Sequence, residues 1–176
     1  VINPYELNIY STVDLTIELI AGYNWISFNV EPEDISVAGI LAALGDEALF
    51  INSQSSGSAT NYGTYGWFGS LADGDLSTTS MYLLEMAAPA TLTITGFPVD
   101  VASTPISLIP GFNWVGYLPQ NPGDLGTALA TVSDAAIFMQ VLLPSINIDF
   151  EAAENNTDLK LELSLPYYGV YGDTLQ

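Results

Sequence analysis

The chain has 176 residues, 49% of them hydrophobic, and a net charge of −19 that arises from 20 acidic residues and a single basic one, Lys160. Phosphate binding draws on clustered Lys and Arg, so this composition excludes nucleic acid as a partner and disfavours an anionic membrane surface. The absence of His and Cys excludes a Ser–His–Asp triad, a cysteine nucleophile and a zinc site. We therefore expect a folded protein that is not an enzyme, with calcium as the one cofactor left open.

The surroundings of the protein are suggested by the same composition. No apolar stretch approaches the ~20 residues that cross a membrane, so no membrane insertion is predicted. The chain begins at Val1 without a charged segment followed by an apolar run, and we expect a mature, processed product or a trimmed piece. The negative charge favours surroundings where salt or calcium screens it. An extracellular or cell-surface location is the expectation, with an organellar shell in an alga as the alternative.

Three strands are predicted from alternating hydrophobicity. In "VDLTIEL" at 13–19 the apolar residues fall on one face and the polar residues on the other. The same alternation predicts strands in "ATLTITG" at 90–96 and in "DLKLELSL" at 158–165. These strands are expected to be half-buried.

Two short helices are predicted, one in each half of the chain. "EDISVAGILAALG" at 33–45 offers Asp34 or Ser36 as N-cap and Gly45 as a stop, and "GDLGTALATVSD" at 123–134 begins in the same way at Asp124. The predicted fold is therefore mainly β with two short helices, and both a β-sandwich-like and an α+β arrangement are open.

Three segments of the first half recur in the same order in the second. "GYNWISFNV" at 22–30 returns as "GFNWVGYLP" at 111–119, and both are expected to be central strands with Trp25 and Trp114 as core anchors. The other two matches are "AALGDEALFIN" with "ATVSDAAIFMQ", after a one-residue slip, and "YGTYG" with "YGVYG". Ordered matches of this kind indicate a tandem duplication with internal pseudo-twofold symmetry.

The N-terminal segment completes the second repeat in this scheme. "YELNIYSTVDLTI" at 5–17 aligns without gaps to "YLLEMAAPATLTI" at 82–94, a piece that the second unit lacks. The chain is thus interpreted as circularly permuted, with residues 1–17 completing the second repeat, 18–96 forming the first and 97–176 the second, truncated one.

Two arrangements satisfy that interpretation. The N-terminal strands close within the same chain, or they complete a neighbouring subunit as in donor-strand addition. The candidate contact residues are Tyr5, Leu7, Ile9, Val13, Leu15 and Ile17.

Acidic clusters are weak calcium candidates. Asp73 and Asp75 in "ADGDL" come first, because hard cations take oxygen ligands from turns, followed by Glu31, Glu33 and Asp34. A solvated acidic surface is the alternative interpretation.

The Gly- and aromatic-rich segment "NYGTYGWFG" at 61–69 has two interpretations. Tyr62, Tyr65 and Trp67 form either a platform on which a sugar stacks or a tightly packed turn or subunit contact. Separately, "NNT" places Asn155 in an N-glycosylation sequon.

The pattern "GYNWISFNV … LFINSQ … YGWFGSL … ATLTITG" resembles the tandem "GWNWIS" repeats of large secreted or cell-surface proteins of marine bacteria and of some algal proteins. The resemblance covers nearly the whole chain, and the family has no established activity to carry over to residues of this sequence. The function we expect is a structural protein that self-associates into an extracellular filament, sheath or sheet through strand exchange or edge pairing. The alternative is a carbohydrate-binding or adhesive module, with polysaccharide as partner.

Overall fold

The computed structural model describes residues 11–124, 127, 130, 131, 147–149 and 162–164. Its described part is mainly β, which confirms the predicted class. The helical elements are one short α-helix, α1 (Val37–Leu41), and the 3-10 turns Ala42–Glu47 and Gly63–Tyr65. The strands are β1 (Val13–Leu19), β2 (Gly22–Ile26), β3 (Val30–Glu31), β4 (Ala48–Ser53), β5 (Ser58–Asn61), β6 (Trp67–Phe68), β7 (Tyr82–Met86), β8 (Ala90–Pro98), β9 (Asn147–Asp149) and β10 (Glu162–Ser164).

The strands form two antiparallel sheets and one separate pair. Three strands lie in the order β1-β8-β3, and five lie in the order β2-β7-β4-β5-β6. Strand β9 pairs with β10, which lies inside the predicted strand at 158–165. Side chains from both larger sheets and from α1 meet in one buried cluster, so the helix and the two sheets share a single core.

Strand β1 has the bounds and faces that its sequence predicts. Asp14, Thr16 and Glu18 are exposed, whereas Leu19 is buried and the apolar residues before it are half-buried. β1 pairs along its whole length with β8, the strand predicted from "ATLTITG". Val13, Leu15 and Ile17, which the sequence offers as subunit contacts, pack here against the core of their own chain. Tyr5, Leu7 and Ile9 lie outside the described residues.

The first predicted helix is confirmed, although the α-helical part is short. The Ser36 hydroxyl caps it by accepting a hydrogen bond from the Gly39 N–H (3.0 Å), and the positive φ of Gly45 (54°) interrupts the 3-10 turn that follows. Asp124 makes the equivalent contact in the second half, because its Oδ1 accepts from the Thr127 N–H at 2.7 Å. Most of the second predicted helix lies outside the described residues.

The "GYNW" segment begins β2, and its asparagine side chain locks the turn that connects β1 to β2. Oδ1 of the buried Asn24 accepts from the Ile20 N–H (2.9 Å), while its Nδ2 donates to the carbonyls of Ile20 (2.8 Å) and Gly22 (3.1 Å). Gly22 has a φ of +88°, which a residue with a Cβ rarely adopts. We call this arrangement the Asn clasp.

The second copy of the segment makes the same clasp. Asn113 bonds to Ile109 N (2.9 Å), Ile109 O (2.8 Å) and Gly111 O (3.1 Å), and Gly111 has a φ of +97°. The central-strand prediction is nevertheless wrong for both copies. β2 lies at the edge of the five-stranded sheet, and the second copy lies outside the strands of the described region, apart from a bridge between Val115 and Ser80.

The Asn24→Ala substitution should lower the free energy of unfolding by about 1–3 kcal/mol, because it leaves backbone groups beside a buried side chain without partners. Asn113→Ala removes the same bonds at an exposed turn, where water replaces them, and should cost less. Urea titration followed by circular dichroism measures both. Equal losses would contradict a dependence on burial.

Candidate functional site

The second "NW" segment lies against the end of the five-stranded sheet. The Met81 N–H donates to the Trp114 carbonyl (3.2 Å), and the Gly116 N–H donates to the Thr79 carbonyl (2.9 Å). A Cβ on Gly116 would lie 2.2 Å from the Thr78 carbonyl oxygen, so the close approach of these two backbones requires glycine. The first half of the chain therefore provides the backbone partner for this segment.

The side chain of Gln54 holds the same segment from β4's end of the sheet. Its Oε1 accepts from the Trp114 N–H at 2.5 Å, and its Nε2 donates to the Phe112 carbonyl. One amide group thus bonds the backbone on both sides of Asn113, much as a neighbouring strand would.

Residues after Trp114 continue along the equivalent residues of the first repeat. Asn29 Nδ2 donates to the Pro119 carbonyl (2.7 Å), and Gln120 Nε2 donates to the Asn29 carbonyl (2.6 Å). Asn29 Oδ1 is buried without a hydrogen-bond partner among the described residues. The contact between the two halves is therefore polar at this end and rests largely on one asparagine.

The two repeat tryptophans contact each other. Trp25 and Trp114 lie edge to face, with ring centroids 4.6 Å apart and an interplanar angle of 89°, a favourable aromatic geometry. Both side chains are only partly buried, so the expectation that each anchors the core of its own half is wrong. Their pairing instead joins the matched positions of the two "NW" segments, and we call it the Trp seam.

Equivalent apolar side chains are exposed around the two Asn clasps. Ile20 and Tyr23 surround the first clasp, and Ile109 and Phe112 surround the second, with exposed fractions between 42% and 79%. We call these four residues the clasp patches. Apolar exposure at matched positions marks a contact surface more specifically than scattered exposed residues do.

The aromatic segment at 61–69 forms the hairpin between β5 and β6. Tyr62 and Tyr65 are exposed, Trp67 is half-buried against the core, and Tyr62 packs edge to face on Phe68 with centroids 5.8 Å apart. The structure thus brings the three platform candidates onto one hairpin at an edge of the five-stranded sheet. Trp67 packs as one interpretation predicts, and the sugar platform stays a prediction.

The acidic candidates do not converge on a cation site within the described residues, where no group of three or more metal-binding side chains occurs. Asp34 has a local role instead: its Oδ1 accepts from the Ser36 N–H at 3.0 Å just before α1. Hydrogen bonding to Ser36 lowers the pKa of the Asp34 carboxyl.

The other candidates lie apart from one another in the chain. Asp75 bridges to Ser36 through the backbone, and Glu31 is the last residue of β3. Glu33 and Asp73 are exposed, and Asn155 lies outside the described residues.

Sequence reasoning missed Gln54, Asn29 and Asp46 as contact residues. All three lie in segments that the sequence comparison quotes, but their neighbours in the fold are distant in sequence: Asn29 and Gln54 bond to residues of the second half, and Asp46 lies beside Gly63. Within the described part of the chain, no helix is long and apolar enough to span a bilayer. Comparison with protein-family models, curated proteins and solved structures gives no match. Function must therefore be argued from the geometry.

The Trp seam should couple the two halves energetically. Trp25→Leu and Trp114→Leu are expected to be less than additive in the double mutant, with a coupling of about 0.5–1.5 kcal/mol, because the second substitution finds the ring contact already lost. Urea unfolding of the four proteins measures the coupling. Additive losses would mean that the rings contribute independently, and Tyr23→Leu in place of Trp25→Leu is the matched control.

Proposed function

We propose that this chain is a structural protein that self-associates into a filament, sheath or sheet through exchange or edge pairing of its strands. The proposal rests on the ladder between β1 and β8. The sequence alignment equates Thr16 with Thr93, and these two residues are direct partners in the ladder. The same ladder supports an internal duplication, with an axis of pseudo-twofold symmetry at this pair.

The neighbours of the central pair are reciprocal. Leu15 pairs with Ile94 and Ile17 pairs with Leu92, while the alignment equates Leu15 with Leu92 and Ile17 with Ile94. In a twofold contact, residue i of one copy touches residue j of the other, and j touches i. This is the form of contact by which two copies of one surface associate.

The exposed face repeats the relation in its hydrogen bonds. Thr95 Oγ1 donates to Asp14 Oδ1 (2.6 Å), and Thr91 Oγ1 donates to Glu18 Oε2 (2.9 Å). The alignment equates Asp14 with Thr91 and Glu18 with Thr95, so these two bonds are equivalent under the same axis.

Such a ladder can form within a chain or between chains with the same register. Only Ile20 and Ala21 connect β1 to β2, so the hinge about which β1 would be exchanged is short, and exchange requires the first Asn clasp to open. Exchange that passes from one chain to the next does not close, so it produces filaments or sheets. Among the described strands, β1 and β3 are the edges of the three-stranded sheet and β2 and β6 those of the five-stranded sheet, and exposed edges are templates for pairing.

The charge of the chain opposes association. Copies that each carry −19 repel one another until salt or divalent cations screen them. We therefore expect assembly to depend on ionic conditions, which gives the proposal a direct test.

Purified protein should be small in low salt and should form extended particles in high salt or calcium chloride. Multi-angle light scattering and negative-stain electron microscopy report the two states. Monodisperse monomers under all three conditions would contradict the proposed function. Particles that require calcium, but form with neither high sodium nor magnesium, would indicate specific ion binding rather than screening.

A cysteine pair at the centre of the ladder distinguishes exchange from edge pairing. Thr16 and Thr93 face each other across antiparallel strands, where Cβ atoms lie about 4.5–5.5 Å apart, and the chain has no other cysteine. Thr16→Cys/Thr93→Cys, oxidised in the assembled state, should give covalent oligomers on a non-reducing gel.

An internal disulfide in assembled particles would contradict exchange and favour edge pairing. The matched control is Thr16→Cys/Thr91→Cys, whose positions are diagonal rather than opposite and should crosslink poorly.

A further inference from the structure

A cleft lies between the first helical segment and the β5–β6 hairpin. Its volume is about 150 Å³, on the scale of one six-membered ring, and it is an open cleft lined by both polar and apolar residues. Ala38, Leu41 and Ala42 form an apolar wall, Trp67 supplies the aromatic wall, and the carboxylate of Asp46 stands at Gly63.

Asn61 fixes the shape of this cleft. Its Nδ2 donates to the carbonyls of Gly45 (3.0 Å) and Ala48 (2.8 Å), while its Oδ1 accepts from the Gly63 N–H (2.9 Å). One side chain thus ties the hairpin loop to the end of the 3-10 turn. The walls are held by bonds internal to the protein, so a ligand meets a preformed site.

Asp46 is the polar lining residue that does not take part in holding the cleft together. It is exposed, and it makes no hydrogen bond to the described residues. A Cβ placed on Gly63 would lie 3.5 Å from Asp46 Oδ1, and the φ of Gly63 is +63°. That distance is an ordinary van der Waals contact, so Asp46 lies directly beside the Gly63 backbone, and its exposed carboxylate lines the same cleft as Trp67.

We propose that this cleft binds one sugar unit of a neutral, hexose-based polysaccharide. A hexose ring has a face of C–H groups that packs on an indole, and hydroxyl groups at its rim that donate to a carboxylate. The cleft offers one indole ring, that of Trp67, and one carboxylate, that of Asp46. Uronic or sulfated sugars are disfavoured by the net charge of −19.

An organic cation is the competing ligand, since it would also meet an aromatic ring and a carboxylate. Sites for quaternary ammonium groups surround the cation with several rings. Here Trp67 is the one ring among the lining residues, and the opposite wall consists of small aliphatic side chains. The composition of the cleft thus favours a sugar.

The outer surface of the hairpin extends the site. Tyr62 and Phe68 are 60% and 56% exposed, and Tyr65 is 81% exposed. These rings lie on the same hairpin as Trp67, so further sugar units of a polymer have aromatic surface on which to pack. Binding should therefore increase from a monosaccharide to an oligosaccharide.

Isothermal titration with laminarihexaose, cellohexaose and mannohexaose tests the proposal in the full chain. At least one of these neutral probes should bind, and Trp67→Ala should weaken it by about tenfold or more. Tyr23→Ala is the matched control, because Tyr23 is an exposed ring on the opposite edge of the same sheet. It should bind as wild type does.

Trp67→Ala could weaken binding simply by destabilising the fold, so a second variant, Asp46→Ala, is needed. The Asp46 carboxylate is exposed and is not part of the core, and its removal should also weaken binding. No binding of any neutral hexasaccharide would overturn the proposal, as would binding that both substitutions leave unchanged. If tetramethylammonium binds to wild type but not to Asp46→Asn, the sugar proposal is overturned in favour of a cation site. None of these results depends on whether the protein assembles.

Discussion

The pairing of β1 with β8 is the interaction on which the rest of the described structure depends. It fixes the three-stranded sheet, places Leu19, Leu92 and Ile94 in the shared core, and sets the point from which the chain enters the first Asn clasp. A slip of one residue would turn the apolar face of β1 outwards, so burial specifies the register strongly. The hydroxyl–carboxylate bonds on the outer face select the same register, because each threonine meets an acid only in this alignment.

The first Asn clasp joins that ladder to the five-stranded sheet. By bonding both backbone groups of Ile20, Asn24 reverses the chain within two residues and directs β2 into the other sheet. The second clasp does the same for the segment that carries Trp114, although no described strand continues it. The Trp seam follows from this: two identical turns, docked side by side, bring equivalent rings within 4.6 Å. A duplicated turn thus positions the contact between the halves.

The sequence was sufficient for elements whose side chains alternate or cap locally. The bounds of β1, the strand in "ATLTITG" and the Ser36 cap depend on period-two burial and on a hydrogen bond three residues away, both of which are local. The prediction that "GYNW" is a central strand was wrong. An apolar sequence is compatible both with a central strand and with an edge strand whose face is covered by another layer of the structure. The hydrogen bonds of Gln54 could not be predicted from the sequence, since its partners are 58 and 60 residues away in the chain. The role proposed for Asp46 could not be predicted either, because Asp46 and Trp67 line one cleft only when the β5–β6 hairpin lies beside the 3-10 turn.

Charge limits which surfaces can bring copies together. With one basic residue in the chain, ion pairs between copies cannot compensate 20 acids, so attraction must come from backbone pairing and apolar contact. Two acids on the outer face of the three-stranded sheet already accept bonds from threonines, and their charges remain at the surface. The clasp patches differ, because Ile20, Tyr23, Ile109 and Phe112 are apolar and exposed at matched positions. A surface built twice within one chain can meet its own copy in a neighbour, and the clasp patches are where such a contact costs the least electrostatic repulsion.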